Sequence, residues 1–316
     1  MTAYVFTFGE TMGLYRTTEL GGLETATDAK ISIGGAESNV AIGLQRLGVD
    51  TVWAGRVGND ALGRRVVREL RAEGISVRAT IDDEAPTGLM LKEKPTADTT
   101  RVYYYRRGSA GSHLVEDDLD HDLIAYAAIL HVTGITASIS ASGERAVYSA
   151  IEAARAAGVP VSFNVNHRAS LWPNGHPGPV YRRIATMSDI LFAGEDESRL
   201  IAPRHAETID DLASSLSELG PREVLIKLGA KGSSGIIDGE IFRAGAHTVR
   251  LVDSVGAGDA FVAGYLAARL RGSTPAERIE LATAVGAFAC LGAGDWESLP
   301  RTQDLPLLKA SEPVQR

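Results

Sequence analysis

The sequence predicts an α/β fold with a central, mostly parallel β-sheet, and three observations support this prediction. Apolar runs typical of strands alternate with amphipathic segments typical of helices, which is the pattern of βαβ units joined by right-handed crossovers. Strand segments such as ILFA are apolar at every position, as expected for strands that are buried on both faces. The length of 316 residues suits one large α/β domain.

The N-terminal part of the chain supplies the first strands and helices. The run AYVFTFGE predicts a buried strand, and a polar, turn-rich stretch follows it to about Lys30. The segment GGAESNVAIGLQRLGVD predicts a glycine loop and an amphipathic helix, because Val40, Leu44 and Leu47 recur at helical spacing and Gly48 supplies a stop. A strand and turn in TVWAGRVGND and a second helix in ALGRRVVRELRAEG complete this part.

A β-rich insertion interrupts the alternation between Thr87 and Tyr105. The runs TGLMLKEK and TTRVYYYR flank the turn-like KPTAD, which predicts a hairpin. The regular alternation then resumes, with strands predicted in AAILHVTGI, VPVSFNVN, DILFAGEDE and EVLIKLGAKGSSGIID. The intervening helices are predicted in ERAVYSAIEAARAAG, at residues 181–187 and in IDDLASSLSELG.

Polar and glycine-rich stretches follow several of the predicted strands. In an open α/β sheet, ligands bind at the carboxyl ends of the strands. We therefore expect these stretches to form one cleft, and they are Gly9 with Glu10 and residues 164–168, 194–197, 229–232 and 253–259.

Composition restricts the classes of partner and the compartment. The formal net charge of −8 argues against nucleic acid or an anionic membrane as the main partner. The single cysteine, Cys290, excludes an intrachain disulfide and lies in an apolar run, where a buried and inert thiol is expected. The sequence has no basic N-terminal targeting region and no apolar stretch of about 18 residues, so we expect a cytoplasmic protein.

The stretch DSVGAGDAFVAGY contains the clearest chemical signal. It is not a Walker A loop, because Asp259 rather than Lys follows Gly258, and Phe261 breaks the dinucleotide-binding pattern. A helix that starts after small residues offers free N–H groups to an anion such as phosphate. A carboxylate there suits a base that takes a proton from a nucleophile attacking phosphorus. Alternatively, Asp259 is a helix N-cap beside a tight glycine turn, and this segment alone leaves both possibilities open.

Two separated segments resemble the signatures of one enzyme family. DSVGAGDAFVAGYL resembles the second signature of the ribokinase/PfkB carbohydrate kinases, GGAESNVAIGLQRLG resembles the first, and AGRVGNDALG continues the N-terminal pattern. The resemblance covers nearly the whole chain. It implies one ribokinase-like domain over residues 1–316, a three-layer α/β sandwich. A small β lid would come from segments within about residues 11–33 and 87–112.

The resemblance also implies a catalytic apparatus. Asp259 would be the general base that deprotonates a sugar hydroxyl, and the N–H groups of Gly256, Ala257 and Gly258 would form an anion hole for the transferring phosphoryl group. ATP would be the donor, with Mg²⁺ bridging its phosphate oxygens. A lid with an exposed strand edge also favours a homo-oligomer formed through the lid.

Three further segments are similar to the 2-keto-3-deoxygluconate kinases of this family, namely YYYRRGSAGS, LHVTGIT and NVNHRASLW. This similarity implies that Tyr104, Arg106 and Arg168 contact an acidic sugar. Two arginines suit a carboxylate, because the guanidinium group pairs with it through two hydrogen bonds. The alternative is that both arginines make structural or surface ion pairs.

The resemblance implies further sugar contacts from Gly35, Ala36 and Asn39 of the first signature, although Asn39 could instead cap the following helix. Asp295, in GAGDWES, matches a carboxylate that reaches the substrate in close relatives, or it is an ordinary loop acid. Some relatives have Tyr where this chain has Met90, so one sugar contact is expected to be apolar.

The nucleotide side is implied by the segment GAKG and by residues 281–286. The residues concerned are Lys227, Gly229, Lys231, Gly232 and Thr283, and the alternative for the two lysines is simple solvation.

Two ion sites are implied less directly. Glu197 matches the Glu of an Asn-x-x-Glu motif associated with Mg²⁺ and phosphate, but Gly194 stands at the Asn position, so the contact would run through water. Asp253 and Val255 match positions near a monovalent-cation site, such as a K⁺ site, in some relatives.

The leading functional hypothesis is ATP-dependent phosphorylation of the terminal hydroxyl of a sugar acid, first of all 2-keto-3-deoxygluconate. The alternatives are a kinase for another sugar, such as fructose or 5-dehydro-2-deoxygluconate, and a non-catalytic sugar-binding regulator on the same fold.

Overall fold

The chain forms two β-sheets and a set of helices that cover the larger sheet, as a computed structural model describes for residues 3–97, 99–172 and 175–309. The strands are β1 (Tyr4–Phe8), β2 (Met12–Thr17), β3 (Ala29–Gly34), β4 (Asp50–Gly58), β5 (Ser76–Asp82), β6 (Leu89–Thr96), β7 (Thr99–Tyr105), β8 (Ile129–Thr133), β9 (Val161–Asn164), β10 (Ile190–Gly194), β11 (Glu223–Lys227), β12 (Ser233–Ile237) and β13 (Glu240–Ala244). The α-helices are α1 (Ala36–Arg46), α2 (Ala61–Ala72), α3 (His121–Ala125), α4 (Gly134–Ile139), α5 (Ala141–Ala156), α6 (Gly178–Thr186), α7 (Glu195–Ile201), α8 (Ile209–Ser217), α9 (Ala257–Leu270) and α10 (Pro275–Ala289).

The larger sheet has the strand order β13-β12-β11-β10-β9-β8-β1-β4-β5 within the described residues. The strands from β11 to β5 run parallel, whereas β12 and β13 are antiparallel to their neighbours. The first strand lies inside the sheet, with Val5 opposite both Thr51 of β4 and Ile129 of β8. The predicted α/β class with a mostly parallel central sheet is therefore confirmed.

Helices pack on both faces of this sheet and create two hydrophobic cores. Successive side chains of a strand point to opposite faces. Phe6 and Phe8 accordingly belong to the core that contains residues of α5, α6 and α8, whereas Val5 belongs to the core that contains residues of α1, α2, α9 and α10. This arrangement is the predicted three-layer sandwich, and it brings the N-termini of α1 and α9 to the same side of the sheet.

The smaller sheet, called the lid sheet from here on, has the order β3-β2-β6-β7. Met12, Leu14 and Met90 form its own small core. The stretch before Lys30, where the local pattern indicated turns, contains β2 and the start of β3, within the range from which the family resemblance drew part of a β lid. The strand β2 is held by its pairing with β6, in which Leu14 lies opposite Met90. A local pattern in the sequence cannot report such a distant partner.

Two predicted strands end earlier than expected. In DILFAGEDE the strand ends at Gly194 and the acidic residues begin α7, and in AAILHVTGI the strand ends at Thr133 and α4 follows at once. Cys290 is half-buried rather than fully buried, and burial raises the pKa of its thiol, which agrees with an inert side chain. Among the described helices, none has both the length and the apolar character that crossing a bilayer requires.

Candidate active site

Asp259 lies in the first turn of α9, is almost fully buried, and is held at both oxygens. The side-chain amide of Asn39 donates to Oδ2 over 2.9 Å, and that of Asn166 donates to Oδ1 over 3.1 Å. The N-cap of α9 is Gly256, so the interpretation of Asp259 as a cap is wrong. Asn39 lies inside α1, whose N-cap is Gly35, so the capping alternative for Asn39 is wrong as well.

The surroundings of Asp259 adjust its acidity. Burial raises the pKa of this carboxyl to about 6, although the hydrogen bond from Asn39 and the positive charges of Arg168 and Lys227 lower it, and the nearby Glu37 adds to the increase. A carboxylate with a pKa close to neutral is ionised at physiological pH and is still basic enough to accept a proton in a transition state.

The turn before α9 presents backbone donors beside this carboxylate. Gly256 has φ of 82°, and a Cβ at that position would overlap the carbonyl oxygen of Asp295, so only glycine fits. Among the described residues, no acceptor is found for the N–H groups of Gly256 and Gly258, whereas the N–H of Ala257 donates to the Ser254 carbonyl over 3.3 Å. Free donors at the start of a helix form an anion-binding site.

Lys227, at the end of β11, adds a positive charge to the same place. Its Nζ lies 3.5 Å from the position that a Cβ of Gly258 would take, and it donates to Oδ1 of Asn164 over 2.9 Å. The sequence assigned Lys227 to the nucleotide side in general terms. The structure brings its ammonium to the N-terminus of α9, where it can neutralise a phosphoryl group.

Arg106, just after β7, is buried and paired. Its Nε and Nη2 lie 2.7 and 2.6 Å from Oε2 of Glu10, and the hydroxyl of Ser109 donates to Oε1 of the same carboxylate. The guanidinium carbon also lies 5.8 Å from the ring centre of Tyr104. The structural ion pair considered for Arg106 therefore exists, but a guanidinium group has five N–H donors and keeps donors for a second carboxylate.

Arg168 differs from Arg106, because it is exposed and takes part in no ion pair among the described residues. Its hydrogen bond there runs from Nη1 to the carbonyl of His167 over 3.2 Å. Its charge nevertheless lowers the pKa of Asp259, so the guanidinium group lies near enough to act on that carboxyl. The ion-pair alternative thus finds no carboxylate for Arg168 in the described part of the chain.

The first-signature residues adjoin Asp295. A Cβ on Gly34 would lie 2.7 Å from Oδ2 of Asp295 and 2.6 Å from Cε of Met90. Gly35 and Ala36 follow at the start of α1, and both are buried. Asp295 is therefore a buried neighbour of the first signature rather than a solvated loop acid. Met90 belongs to the small core of the lid sheet, and its apolar contact with a sugar stays a prediction.

The residues expected on the nucleotide side have mixed environments. Gly229 and Lys231 lie on an exposed 3₁₀ turn, and Gly232, with φ of 91°, ends it. Thr283 donates to the carbonyl of Ile279 and contacts Oγ of Ser233, each over 2.8 Å, and so joins α10 to β12. Their contacts with a nucleotide stay predictions.

Glu197 has a structural task in addition to the predicted one. Its two oxygens accept the N–H groups of Gly194 and His167, over 2.6 and 2.8 Å. No cluster of three or more His, Cys, Asp or Glu side chains suited to a metal ion occurs in residues 3–97, 99–172 and 175–309. A single carboxylate such as Glu197 fits a Mg²⁺ ion that nucleotide phosphates hold for the most part, and Glu197 would contribute through a water molecule.

Several residues of the site carried no signal that the sequence analysis used. Asn166 has φ of 42°, a left-handed conformation that Asn tolerates better than most residues, and its position just after β9 was the available clue. Glu10 was noted only as part of a polar stretch. Glu37 is fully buried and accepts the hydroxyls of Thr133 and Thr136, and its place inside a helix gave no indication of this.

Comparison with known proteins agrees with this fold and this geometry. The model of the pfkB family of carbohydrate kinases matches residues 2–302. The chain belongs to the pfkB family of carbohydrate kinases, and the enzyme class predicted from the sequence is confirmed.

Two relatives and one solved structure of this family are similar to the chain over most of its length. The chain is 37% identical over 305 residues to a 2-dehydro-3-deoxygluconokinase of Bacillus subtilis (strain 168), an alignment that covers 95% of this chain and 93% of that protein. It is 34% identical to a 2-dehydro-3-deoxygluconokinase of Thermoproteus tenax, covering 88% of this chain and 86% of the relative. The crystal structure of a PfkB protein from Polaromonas sp. JS666 superposes with a TM-score of 0.86 at 33% identity, covering 96% of this chain and 99% of that chain.

Proposed function

We propose that this carbohydrate kinase transfers the γ-phosphoryl group of ATP to the terminal hydroxyl of 2-keto-3-deoxygluconate, which is the same compound as 2-dehydro-3-deoxygluconate. The observation that supports it most is the buried carboxylate of Asp259 beside the free N–H groups of Gly256 and Gly258 at the start of α9, where the charge of Arg168 lowers the pKa of that carboxyl. The names of the two relatives above agree with this substrate.

The proposed reaction uses the chain's own groups in a fixed order. Asp259 takes the proton from the sugar hydroxyl while the oxygen of that hydroxyl bonds to the γ-phosphorus. The bond between the γ-phosphorus and the bridging oxygen breaks, and ADP leaves with that oxygen. The N–H groups of Gly256 and Gly258 and the ammonium of Lys227 stabilise the charge on the transferring group, and the N–H of Ala257 joins them once it leaves the Ser254 carbonyl. Mg²⁺, when bound, neutralises the phosphate oxygens of the nucleotide, and Glu197 would orient its water.

The acidic end of the sugar is assigned to Arg106, Arg168 and Tyr104. Arg106 is already held by Glu10, so little rotamer entropy is lost when it binds a second carboxylate. In the same proposal the hydroxyls meet Gly35, Ala36, Asn39 and Asp295, and the nucleotide meets Gly229, Lys231, Gly232 and Thr283.

The proposal extends to assembly and compartment. The strand β7 is an outer strand of the lid sheet and exposes Tyr103, Tyr104 and Tyr105, a surface that supports pairing of lids between two copies. The enzyme would act in the cytoplasm, since its single half-buried cysteine suits a reducing compartment.

A substrate panel tests the proposal. ADP release is measured with 2-keto-3-deoxygluconate, its C4 epimer, 5-dehydro-2-deoxygluconate, fructose and ribose, and the product is located by NMR. We expect the highest kcat/KM with the first compound, and phosphate on its terminal oxygen. Arg106→Ala and Arg168→Ala should each lower kcat/KM for acidic sugars about 10- to 100-fold, the value of a charged hydrogen bond, and affect fructose far less.

Other outcomes would point elsewhere. Equal losses for acidic and neutral sugars would remove the basis for a sugar-acid substrate, and preference for 5-dehydro-2-deoxygluconate or fructose would favour those kinases. Tight sugar binding without any ADP release would favour the non-catalytic regulator.

A further inference from the structure

Lys92, on the lid strand β6, is a buried cation that neither the sequence signatures nor the proposed reaction uses. Its side chain is only 2% exposed, and Nζ lies 2.6 Å from Oδ2 of Asp253 and 3.0 Å from Oδ1 of Asp295. Burial alone would lower the pKa of Lys92, but the charges and hydrogen bonds of Asp295 and Asp253 raise it above its usual value. The side chain is therefore an ammonium ion between two carboxylates.

Both carboxylates belong to segments that define the turn before α9. Asp253 opens this turn, and its Oδ1 accepts the N–H of Val255 over 3.1 Å. The backbone carbonyl of Asp295 lies directly against Gly256, so close that a Cβ at residue 256 would overlap its oxygen. The lysine thus joins the residues before and beside the free N–H groups that receive the phosphoryl group.

A second lysine of the same strand strengthens this attachment. Lys94 donates to the backbone carbonyl of Val252, one residue before Asp253. Two ammonium groups of β6 therefore meet consecutive residues of the loop that leads into α9. A further positive charge at this loop would be repelled by both.

This arrangement conflicts with the monovalent-cation site that the family resemblance places near Asp253 and Val255. Of the two Asp253 oxygens, one receives the Val255 N–H and the other receives the Lys92 ammonium. A K⁺ ion at Asp253 would have to share this carboxylate with the Lys92 ammonium and lie near that of Lys94 as well. Because like charges so close together repel, the residues present do not fit such an ion.

We propose that Lys92 is a built-in replacement for the monovalent cation, a positioning residue that holds the phosphoryl-binding turn through Asp253 and Asp295. The kinase consequently works without K⁺ or any other free monovalent cation at this turn. The inference rests on the family's phosphoryl-transfer chemistry but not on which sugar is the substrate.

Thermal unfolding of the substrate-free protein provides the first test and needs no activity. The melting temperature is measured in 100 mM KCl and in 100 mM tetramethylammonium chloride, whose cation is too large for the site. This salt concentration is about ten times the Kd of a typical weak cation site, so a bound ion would stabilise the folded state measurably. We expect the same melting temperature for the natural protein in both salts, and a K⁺-specific rise of about 2 °C or more for Lys92→Met.

Turnover provides the second test, with whichever sugar the panel identifies. In tetramethylammonium, Lys92→Met should lose about 10- to 100-fold in kcat, less than the full loss of an oxyanion donor. K⁺ or methylammonium should raise the kcat of Lys92→Met several-fold, whereas the kcat of the natural protein should change less than about twofold. Lys92→Arg keeps a cation and should remain indifferent to K⁺, and Lys30→Met, an exposed lysine of the same sheet, is the matched control.

Two results would overturn the inference. One is K⁺-specific stabilisation or activation of the natural protein, a test that stays valid even if Lys92→Met does not fold. The other is a folded Lys92→Met with normal kcat in tetramethylammonium. Failure of the substrate proposal would instead appear in the sugar panel and would leave the melting experiment unchanged.

Discussion

At the scale of single residues, the chemistry of the site depends on how Asp259 is held. Its two oxygens accept amide hydrogens from Asn39, which lies in the first helix, and from Asn166, which follows β9. These three side chains come from distant parts of the sequence and share one buried space. The base is thereby oriented and kept out of bulk water before any substrate arrives.

The ionisation of Asp259 predicts how catalysis depends on pH. The unprotonated carboxylate is the active form, and the pKa of Asp259 in the free enzyme is about 6. We therefore expect kcat/KM to rise with pH, with its midpoint near that value, and to level off at higher pH. Below the midpoint, kcat/KM should fall about tenfold for each pH unit. The profile is measured between pH 4.5 and 8.5, with circular dichroism at each pH to exclude unfolding.

Replacement of the carboxyl provides the control for this profile. Asp259→Asn should lose roughly 10²–10⁴-fold in kcat and lose the titration near pH 6, whereas Asp122→Asn, an exposed acid of α3, should change neither. A natural enzyme whose kcat/KM stays level down to pH 4.5, or a nearly normal Asp259→Asn, would contradict the assignment of the base.

The residue scale also shows what sequence can predict at this site. Asp259 and Gly256 occur in one contiguous signature. That segment alone left a base and an N-cap both open for Asp259, and the predicted roles came from the resemblance of the whole signature to one family. Lys92, Glu10 and Asn166 act through partners far away in the sequence, namely Asp253, Arg106 and Asp259. Glu10 and Asn166 lie in polar stretches that were expected in the cleft, but nothing in the neighbouring sequence of any of the three indicates which partner it contacts.

At the scale of elements, α9 has a left-handed glycine at each end, and the two glycines differ in one respect. Gly256 and Gly272 have φ of 82° and 74°, but a Cβ would overlap the Asp295 carbonyl at Gly256 and meet nothing within 4 Å at Gly272. Alanine at either position should cost about 1 kcal/mol of stability from the backbone alone. Only Gly256→Ala should also displace Asp295 and the phosphoryl-binding turn.

The pair of variants therefore separates strain from function. We expect Gly272→Ala to keep normal kcat, and Gly256→Ala to unfold more easily than Gly272→Ala and to lose at least about tenfold in kcat. Urea unfolding and steady-state kinetics measure both quantities. If the two variants proved equally active, the turn before α9 would not have the role assigned to it.

Elements of the lid sheet were the least predictable part of the fold. The hairpin of β6 and β7 was visible as β-rich runs. The local pattern at β2 and at the start of β3 indicated turns, and only the family resemblance implied lid strands there. The strand β2 depends on pairing with β3 and β6, and its residue Gly13 packs closely against Leu62 of α2. Such pairing is decided by tertiary contacts and not by the residues of the strand itself.

At the scale of the whole molecule, the lid sheet leaves an edge that a second copy could cover. Tyr105 on β7 is 61% exposed, and the strand has no neighbour on its outer side among the described residues. If two lids pair, the natural protein should be a dimer by light scattering. Tyr105→Asp should shift it toward monomers, because a charge on an edge opposes strand pairing.

A second exposed tyrosine serves as the matched control. Tyr126, at the end of α3, is 70% exposed and lies outside the lid sheet, so Tyr126→Asp should leave the mass in solution unchanged. A natural protein that is monomeric at micromolar concentration, or two variants with the same mass, would contradict assembly through the lid.

The overall class was predictable because it depends on repetition along the chain. Alternating strands and helices, with strands such as Leu191–Ala193 apolar on both faces, permit few arrangements other than a parallel sheet between helical layers. The reversal of direction at β12 and β13 follows only from their short turns. The strand order of the lid sheet depends on pairing between segments that are far apart in the sequence.

The central place of β1 in the large sheet has a consequence for biosynthesis. This apolar strand is synthesised well before one of its two neighbours, β8, which begins only at Ile129. Throughout the intervening translation, one side of β1 has no partner, and an unpaired apolar strand tends to aggregate. The nascent chain should therefore rely on chaperones most between the synthesis of β1 and that of β8, before Asp259 and the turn that precedes α9 have been made.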